Sequence, residues 1–332
     1  MNIMIMSPGR RVEIVEYFKH EINLVGGNVY TLDMNPTAAA MFYSTRAYCV
    51  EKDFDKLDEY MKKCITLCEE LGVDCVLTLV DPELSLLALY KSCFEDAGIK
   101  VIISEKNLVD ASFDKLKFYE FFKDMLPVVW TTGDKTVLKS AIENGEISFP
   151  VFAKPRNGSG SEGLINILDN DELDGFYPRE EYIYQPFSKK SEYGVDMYFN
   201  IETGKLEQYF IKEKKSMRSG ETDKAVSVHN EAIKEIVMRL DGIGFRGTID
   251  MDVFLDFDGK YYVNEINPRF GGGYPHAYHC GMNFIKNIVM NIQHEELKMP
   301  MDDYSDGIMM IKYNNYHFID ENSVLKHVKY YG

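Results

Sequence analysis

The first hundred residues alternate short apolar runs with amphipathic helical stretches, and this alternation restricts the fold more than any other feature of the chain. Residues 2–6 read as a strand, 12–24 as a helix and 28–33 as a second strand. Leu57, Tyr60, Met61, Cys64, Cys68 and Leu71 share one helical face. A third strand is expected at 76–80, a helix through 84–94 and a fourth strand at 101–104. Strands separated by helices form a parallel sheet with right-handed crossovers. Ser7-Pro8-Gly9 and Asp33 then sit at the carboxyl ends of the first two strands, where open α/β sheets bind ligands. A plain turn and a plain helix cap explain them equally well.

After about Leu108 the pattern changes. Asp114 can cap a helix that carries Leu116, Tyr119, Phe122 and Met125 on one side and stops at Pro127. From 148 to 268 the chain reads as hairpins, interrupted by a helix at 231–240; a last helix covers 283–292, and the tail from Met301 holds one apolar run, 308–313. With 332 residues, 45% of them apolar, there is material for two or three cores. No repeat or low-complexity linker separates them, so tight packing of the domains is expected. The net charge of −16 argues against a nucleic-acid backbone or an anionic membrane as the main partner. No apolar run approaches 18 residues, the N-terminus has no signal-peptide pattern, and the six cysteines form no CxxC pair. Reduced thiols and a cytoplasmic location are expected.

Two segments carry chemistry. The apolar strand Phe149-Pro-Val-Phe-Ala-Lys154 leads into Asn157-Gly158-Ser159-Gly160-Ser161-Glu162-Gly163, followed by a second β-run. The glycines fit a dinucleotide string, but that motif must open a helix. Here the loop returns into a strand, and no Gly-Lys-Ser/Thr closes it as a Walker loop. A glycine hairpin whose backbone N–H groups meet phosphates is one reading, and a surface hairpin is the other. The second segment is Thr248-Ile-Asp250-Met-Asp252-Val-Phe-Leu-Asp256-Phe-Asp258-Gly259-Lys-Tyr-Tyr-Val-Asn-Glu265-Ile-Asn267-Pro-Arg269. Asp258-Gly259 signals a two-residue turn, and counting outward sets Asp252 opposite Glu265, with Asn267 on the same face. Met251, Val253, Leu255, Tyr262 and Ile266 form the core face. Paired carboxylates repel unless neutralised. A hard cation such as magnesium resolves that repulsion, while a solvated acidic face is the simpler alternative. Arg269 follows on the same face and suits an anion. Gly271-Gly272-Gly273 either gives a ligand close approach or makes a tight turn.

Together Lys154-Pro, the glycine loop and Glu265-Ile-Asn267-Pro-Arg269 resemble the ATP-grasp superfamily, in its carbamoyl-phosphate-synthase-large-subunit-like branch, over most of the chain. The resemblance implies an α/β fold: a Rossmann-like preATP-grasp domain (1–108), then two α+β lobes. The small lobe with the glycine flap would span 109–187, the large lobe with the magnesium site 188–300, and a tail packing on the core 301–332. It assigns nucleotide binding to Lys115, Lys154, Gly158, Ser159, Gly160, Ser161, Gln185, Pro186, Phe187 and Glu192. Phe187 would meet adenine through its backbone and Glu192 the ribose; the family usually has a glutamate where Gln185 stands. Asp252, Glu265 and Asn267 match the magnesium ligands. Arg269 and Lys154 would stabilise the transferring phosphoryl group, and Arg218 is the candidate clamp for a substrate carboxylate. His276 is a further candidate for the acceptor pocket.

The implied cofactors are ATP and one or two Mg2+ ions, with Mn2+ able to substitute. The implied reaction is an ADP-forming ligation of a small-molecule carboxylate to an amine through an acyl phosphate, with a homodimer compatible. Phosphorylation of bicarbonate or carbamate keeps the same site, and a catalytically silent nucleotide-binding protein is the alternative from another class.

Overall fold

The computed structural model describes residues 1–332 apart from 159–162, 179–180, 187–188, 219, 298 and 332. Strands β1 (Asn2–Met6), β2 (Asn28–Asp33), β3 (Arg46–Cys49), β4 (Cys75–Thr78) and β5 (Lys100–Val101) lie parallel in the order 3-2-1-4-5. The C-terminal strand Val328–Tyr330 joins the outer edge of β3. β1 is central, and Ile3–Met6 are buried on both faces, which explains its unbroken apolar run. β1, β2 and the helix Val12–Leu24 stand where the sequence pattern puts them. β3 escapes that pattern because four residues opening on an exposed arginine carry no readable period. The single helix expected over 84–94 is two, Asp81–Leu89 and Lys91–Asp96, the first with a proline in its opening turn.

The loop after β1 is shaped from within. Ser7 and Gly9 take positive φ values of 48° and 53°. Asp33 accepts from the backbone N–H of Gly9 at 3.2 Å and of Asn35 at 2.9 Å. Its carboxylate therefore holds two loops in place, which favours the cap-and-turn reading of this switch point.

β6 (Val151–Pro155), β7 (Ile165–Ile167) and β8 (Tyr182–Pro186) form a small antiparallel sheet in the order 7-6-8. Leu138 and Leu173, from two covering helices, pack on Val151, Ala153, Ile167 and Tyr184. The glycine string joins β6 to β7, so it closes a hairpin and opens no helix, and the dinucleotide reading falls.

The largest sheet is antiparallel: β9 (Ser191–Phe199), β10 (Leu206–Arg218), β11 (Glu221–Ser227), β12 (Gly247–Leu255), β13 (Tyr261–Asn267) and β14 (Met309–Ile311), in the order 13-12-9-10-11-14. Val195, Met197, Ile211, Met251 and Val253 point to one face and pack with Ile233 and Ile236 of the helix Glu231–Met238 and with Phe118 and Phe122. The opposite face divides: Tyr198 and Phe210 join the core shared with the N-terminal sheet and the helix Phe284–Ile292, and the rest is charged. Asp114 caps the helix Lys115–Phe122 as expected, accepting from Leu116 and Lys117 N–H at 3.0 and 3.1 Å. Of the stripe expected there, Phe122 is buried and Tyr119 and Met125 pack half-buried on the same core, whereas Phe118 rather than Leu116 completes it. In the tail, β14 pairs with β11 while Met309, Ile311, Tyr313, Tyr316 and Phe318 stay exposed. No described helix is long and apolar enough to cross a membrane.

Candidate functional site

Asp252 pairs directly with Glu265, and Asp250 with Asn267. The route to that pairing differs from the simple count. The turn is closed one residue wider, with Asp256 N–H donating to Lys260 O at 2.9 Å and Asp256 Oδ1 accepting from Asp258 and Lys260 N–H. Near the turn Leu255 faces Tyr261, and Val253 faces Val263. A β-bulge at Asn264 then absorbs one residue and restores the register that sets Asp252 against Glu265. It also moves Val263, fully buried, into the core place expected for Tyr262.

Across the sheet this face is a lattice of charge. Asp250 lies beside Asp196 of β9, Asp252 beside Gly194, and Phe254 beside Glu192. On the other side of β9, Lys212 lies beside Gly194 and Lys214 beside Glu192. Lys212 pairs with Asp196, their side chains only 1% and 2% exposed. Lys214 reaches Glu192 at 2.8 Å and Asp252 at 2.6 Å. Burial alone would lower its pKa, but the Asp252 and Glu192 carboxylates outweigh burial and hold it well above the usual lysine range. Asp252 is pushed up to about 7, chiefly by burial, with Lys214 opposing and Asp250, Glu265 and Glu192 adding to it.

Arg269 bridges two domains. Its Nη2 and Nε lie 2.9 Å from the carboxylate oxygens of Asp81, at the start of the N-terminal helix Asp81–Leu89, and Nη1 lies 3.3 Å from Asp250. Burial would lower the Arg269 pKa, but the two carboxylates raise it. Arg11, from the loop after β1, donates to Phe270 O at 2.9 Å and has no ion pair among the described residues. Burial and the nearby Arg269 pull its pKa down to about 10. The glycine triplet makes room for this floor: a Cβ on Gly271 would lie 2.6 Å from the Asp250 carboxyl group, and one on Gly273 2.9 Å from Lys212 Nζ.

On the small lobe, Lys154 Nζ lies 3.4 Å from Asn264 Oδ1, and Lys115 Nζ donates to Gly158 O at 2.7 Å. Neither has an ion pair among the described residues. Burial pulls Lys154 down to about 8 against the opposing charge of Glu265, and it lowers Lys115 as well. Lys115, Gly158, Asn264, Glu265 and Asn267 line one cleft, together with Asp81 and Ser112.

The structure thus brings Lys115, Lys154, Gly158, Asp252, Glu265, Asn267 and Arg269 together. Gln185 is buried and donates to Thr131 Oγ1 at 2.8 Å, next to Pro186 at the end of β8. Glu192 has both oxygens engaged, one by Lys214 and one by Lys189 at 2.7 Å. Arg218 is 51% exposed and paired with Asp223 at 3.0 Å. His276 is buried, its Nε2 2.9 Å from Ile308 O and its ring edge-on to Phe210. Burial lowers its pKa to about 4, so it is a neutral packing residue that ties down the tail. Ser159, Gly160, Ser161 and Phe187 lie outside the described residues. Asp81, Asp196, Lys212, Lys214 and Arg11 were not singled out by the sequence pattern. The alternation Glu192-x-Gly194-x-Asp196 and Lys212-x-Lys214 within apolar strands was the available signal.

The residues fit a magnesium ion. Asn267 donates its amide N–H to Glu265 at 3.3 Å, leaving the carbonyl oxygen without a partner among the described residues. Among those residues no three His, Cys, Asp or Glu side chains form a ready cage. Two carboxylates and an amide oxygen suit an ion that completes its shell with phosphates and water.

Residues 3–102 match the PylC-like N-terminal domain family and residues 112–273 the ATP-grasp domain family. The chain belongs to the ATP-grasp superfamily. It is 25% identical over 218 residues to the N5-carboxyaminoimidazole ribonucleotide synthase of Staphylococcus epidermidis, covering 61% of this chain and only 56% of that protein. It is 23% identical over 294 residues to the D-alanine–D-alanine ligase of Campylobacter jejuni, covering 76% and 84%. Among solved structures it is similar to N5-carboxyaminoimidazole synthetase from Staphylococcus aureus complexed with ADP (TM-score 0.70, 18% identity, 93% of this chain and 79% of that one). It is also similar to the biotin carboxylase domain of Hydrogenobacter thermophilus 2-oxoglutarate carboxylase (TM-score 0.72, 16% identity, 93% and 73%), solved with MgADP and bicarbonate. These likenesses agree with the parallel N-terminal sheet and the two antiparallel lobes.

Proposed function

We propose that the protein is an ATP-dependent, ADP-forming carboxylate–amine ligase. The observation that carries this reading is Lys154 and Lys115, cations without carboxylate partners among the described residues, set beside the Asp252–Glu265 pair and Arg269. Phosphoryl transfer needs positioned positive charge more than a nucleophilic side chain. The substrate carboxylate attacks the γ-phosphorus, ADP leaves, and an amine then displaces phosphate from the acyl phosphate. Lys154 and Lys115 bind the phosphates, with Gly158–Gly160 and Ser161 of the hairpin over them. Gln185, Pro186 and Phe187 border the base, and Glu192 lies toward the ribose. Asp252, Glu265 and Asn267 would hold Mg2+, for which Mn2+ would substitute, and the ion would supply positive charge to the phosphates. Arg269 steadies the migrating group, and Arg11 and Arg218 are the cations available to a substrate carboxylate. Residues 1–108 would form the preATP-grasp domain, 109–187 and 188–300 the two lobes, and 301–332 the tail. A homodimer in the cytoplasm is the expected setting, checked by light scattering and fractionation.

The name of the Campylobacter relative, a D-alanine–D-alanine ligase, and the ADP complex of the Staphylococcus aureus synthetase support this reading. Bicarbonate as the phosphorylated carboxylate uses the same residues, and a screen of ADP release against bicarbonate, amino acids and other small carboxylates separates the two. The deciding experiment uses the active carboxylate labelled with 18O. One label should appear in inorganic phosphate, with ADP as the nucleotide product. Pyrophosphate and labelled AMP would refute the reading, and nucleotide binding without any ADP release would favour a silent binding protein.

A further inference from the structure

Lys214 occupies the side of Asp252 that faces Glu192, and the sheet is built to put it there. Its direct neighbour on β9 is Glu192, whereas Asp252 lies one strand further, beyond Gly194. The lysine stem can cross β9 because Gly194 has no side chain: a Cβ there would lie 3.2 Å from Lys214 Cε and 3.0 Å from Lys212 Cε. At the end of that path the ammonium lies 2.6 Å from Asp252 Oδ1 and 2.8 Å from Glu192 Oε1, with 6% of the side chain exposed. Lys189 holds the other oxygen of Glu192, so that carboxylate cannot turn away to release the ammonium freely. Asn267, by contrast, keeps its carbonyl oxygen unengaged on the far side of Glu265.

We propose that Lys214 is a permanent internal cation of the metal site, so that the site binds one divalent ion with its nucleotide and not two. This rests on the nucleotide reading above. The ion sits among Glu265, Asn267 and the remaining oxygen of Asp252, while a second dication would have to displace an ammonium already bound to Asp252 and clamped by Glu192. The lysine thereby does part of the charge neutralisation that a two-ion site assigns to metal.

The test is a Mn2+ titration of the full-length protein followed by electron paramagnetic resonance, with a non-hydrolysable ATP analogue held equimolar with the protein. One tightly bound Mn2+ per nucleotide complex is expected for the wild type, two for Lys214→Met and one for Lys214→Arg. Two tight ions in the nucleotide-bound wild type would overturn the inference, a result that needs no variant to fold. A Lys214→Met protein that binds nucleotide normally yet still holds one ion would also overturn it. A wild type that binds no nucleotide analogue at all would overturn the ligase reading and this inference together, whereas a two-ion count removes only the latter.

Discussion

Four lysines around one site divide into two kinds. Lys212 and Lys214, on the floor of the large sheet, are each locked to carboxylates and almost fully enclosed. Lys115 and Lys154, on the small-lobe side, touch only a carbonyl and an amide oxygen among the described residues. The floor lysines complete a charge lattice that the protein itself balances, so their removal should be felt by the fold. The small-lobe lysines carry charge that the protein leaves unbalanced and partly desolvates, so their removal should be felt by the anion that visits them.

The largest expected effect is on stability. Lys212→Met strands Asp196 in the interior and should cost about 3–5 kcal/mol in urea unfolding, with much of the loss recovered in Lys212→Met/Asp196→Leu. Lys154→Ala should leave unfolding within about 1 kcal/mol of wild type but lower ADP formation roughly 100- to 1000-fold. If Lys154→Ala unfolds the protein as readily as Lys212→Met does, the division between floor and visitor cations is wrong. Next in size, Asp81→Asn weakens the hold on Arg269. A fall in kcat of roughly 10- to 100-fold is expected, matching the worth of a charged hydrogen bond, with MgADP affinity unchanged and Asp81→Glu partly restored.

The smallest effect is pH-dependent and has two opposite signs. Lys154 is pulled from its ordinary 10.5 to about 8 by burial. Raising the pH through 8 removes its charge, so MgADP should bind about tenfold more weakly at pH 9 than at pH 7 in calorimetry, as only about a tenth of a group stays protonated one unit above its pKa. The unliganded protein should instead gain stability between about pH 8 and 10.5. In that window the unfolded chain still binds the proton that the folded chain has lost. Lys154→Met should flatten both trends.

The sequence made some of this visible and hid the rest for identifiable reasons. β1, β2 and the helix Val12–Leu24 are long and strongly periodic, so their bounds were readable. Asp252, Glu265, Asn267 and Arg269 were readable because one hairpin holds them all. The pairing of Asp252 with Glu265 was anticipated through an ideal turn that the structure replaces with a wider turn and a compensating bulge. Lys214 and Asp196 were hidden because their partners depend on β9 lying between β12 and β10, an order no local pattern specifies. Asp81 was hidden more deeply: 188 residues separate it from Arg269, and it reads locally as the start of a helix. Asp33 shows the reverse, a residue in a suggestive place whose carboxylate is spent on its own loops.

The bulge at Asn264 also separates two lengths that a regular hairpin would lock together. Its extra residue takes up the wider turn before the chain reaches Glu265, and its side chain oxygen is the one nearest the Lys154 ammonium. The tip of the hairpin, closed by Asp256 and Lys260, can therefore change length without moving a pair beyond it. Straightening the bulge while keeping the turn would instead set Asn264 against Asp252, turn Glu265 toward the apolar face and push Ile266 toward the charged one. For anyone grafting loops onto this scaffold, the tip is free to vary and position 264 is the tuning peg that must stay.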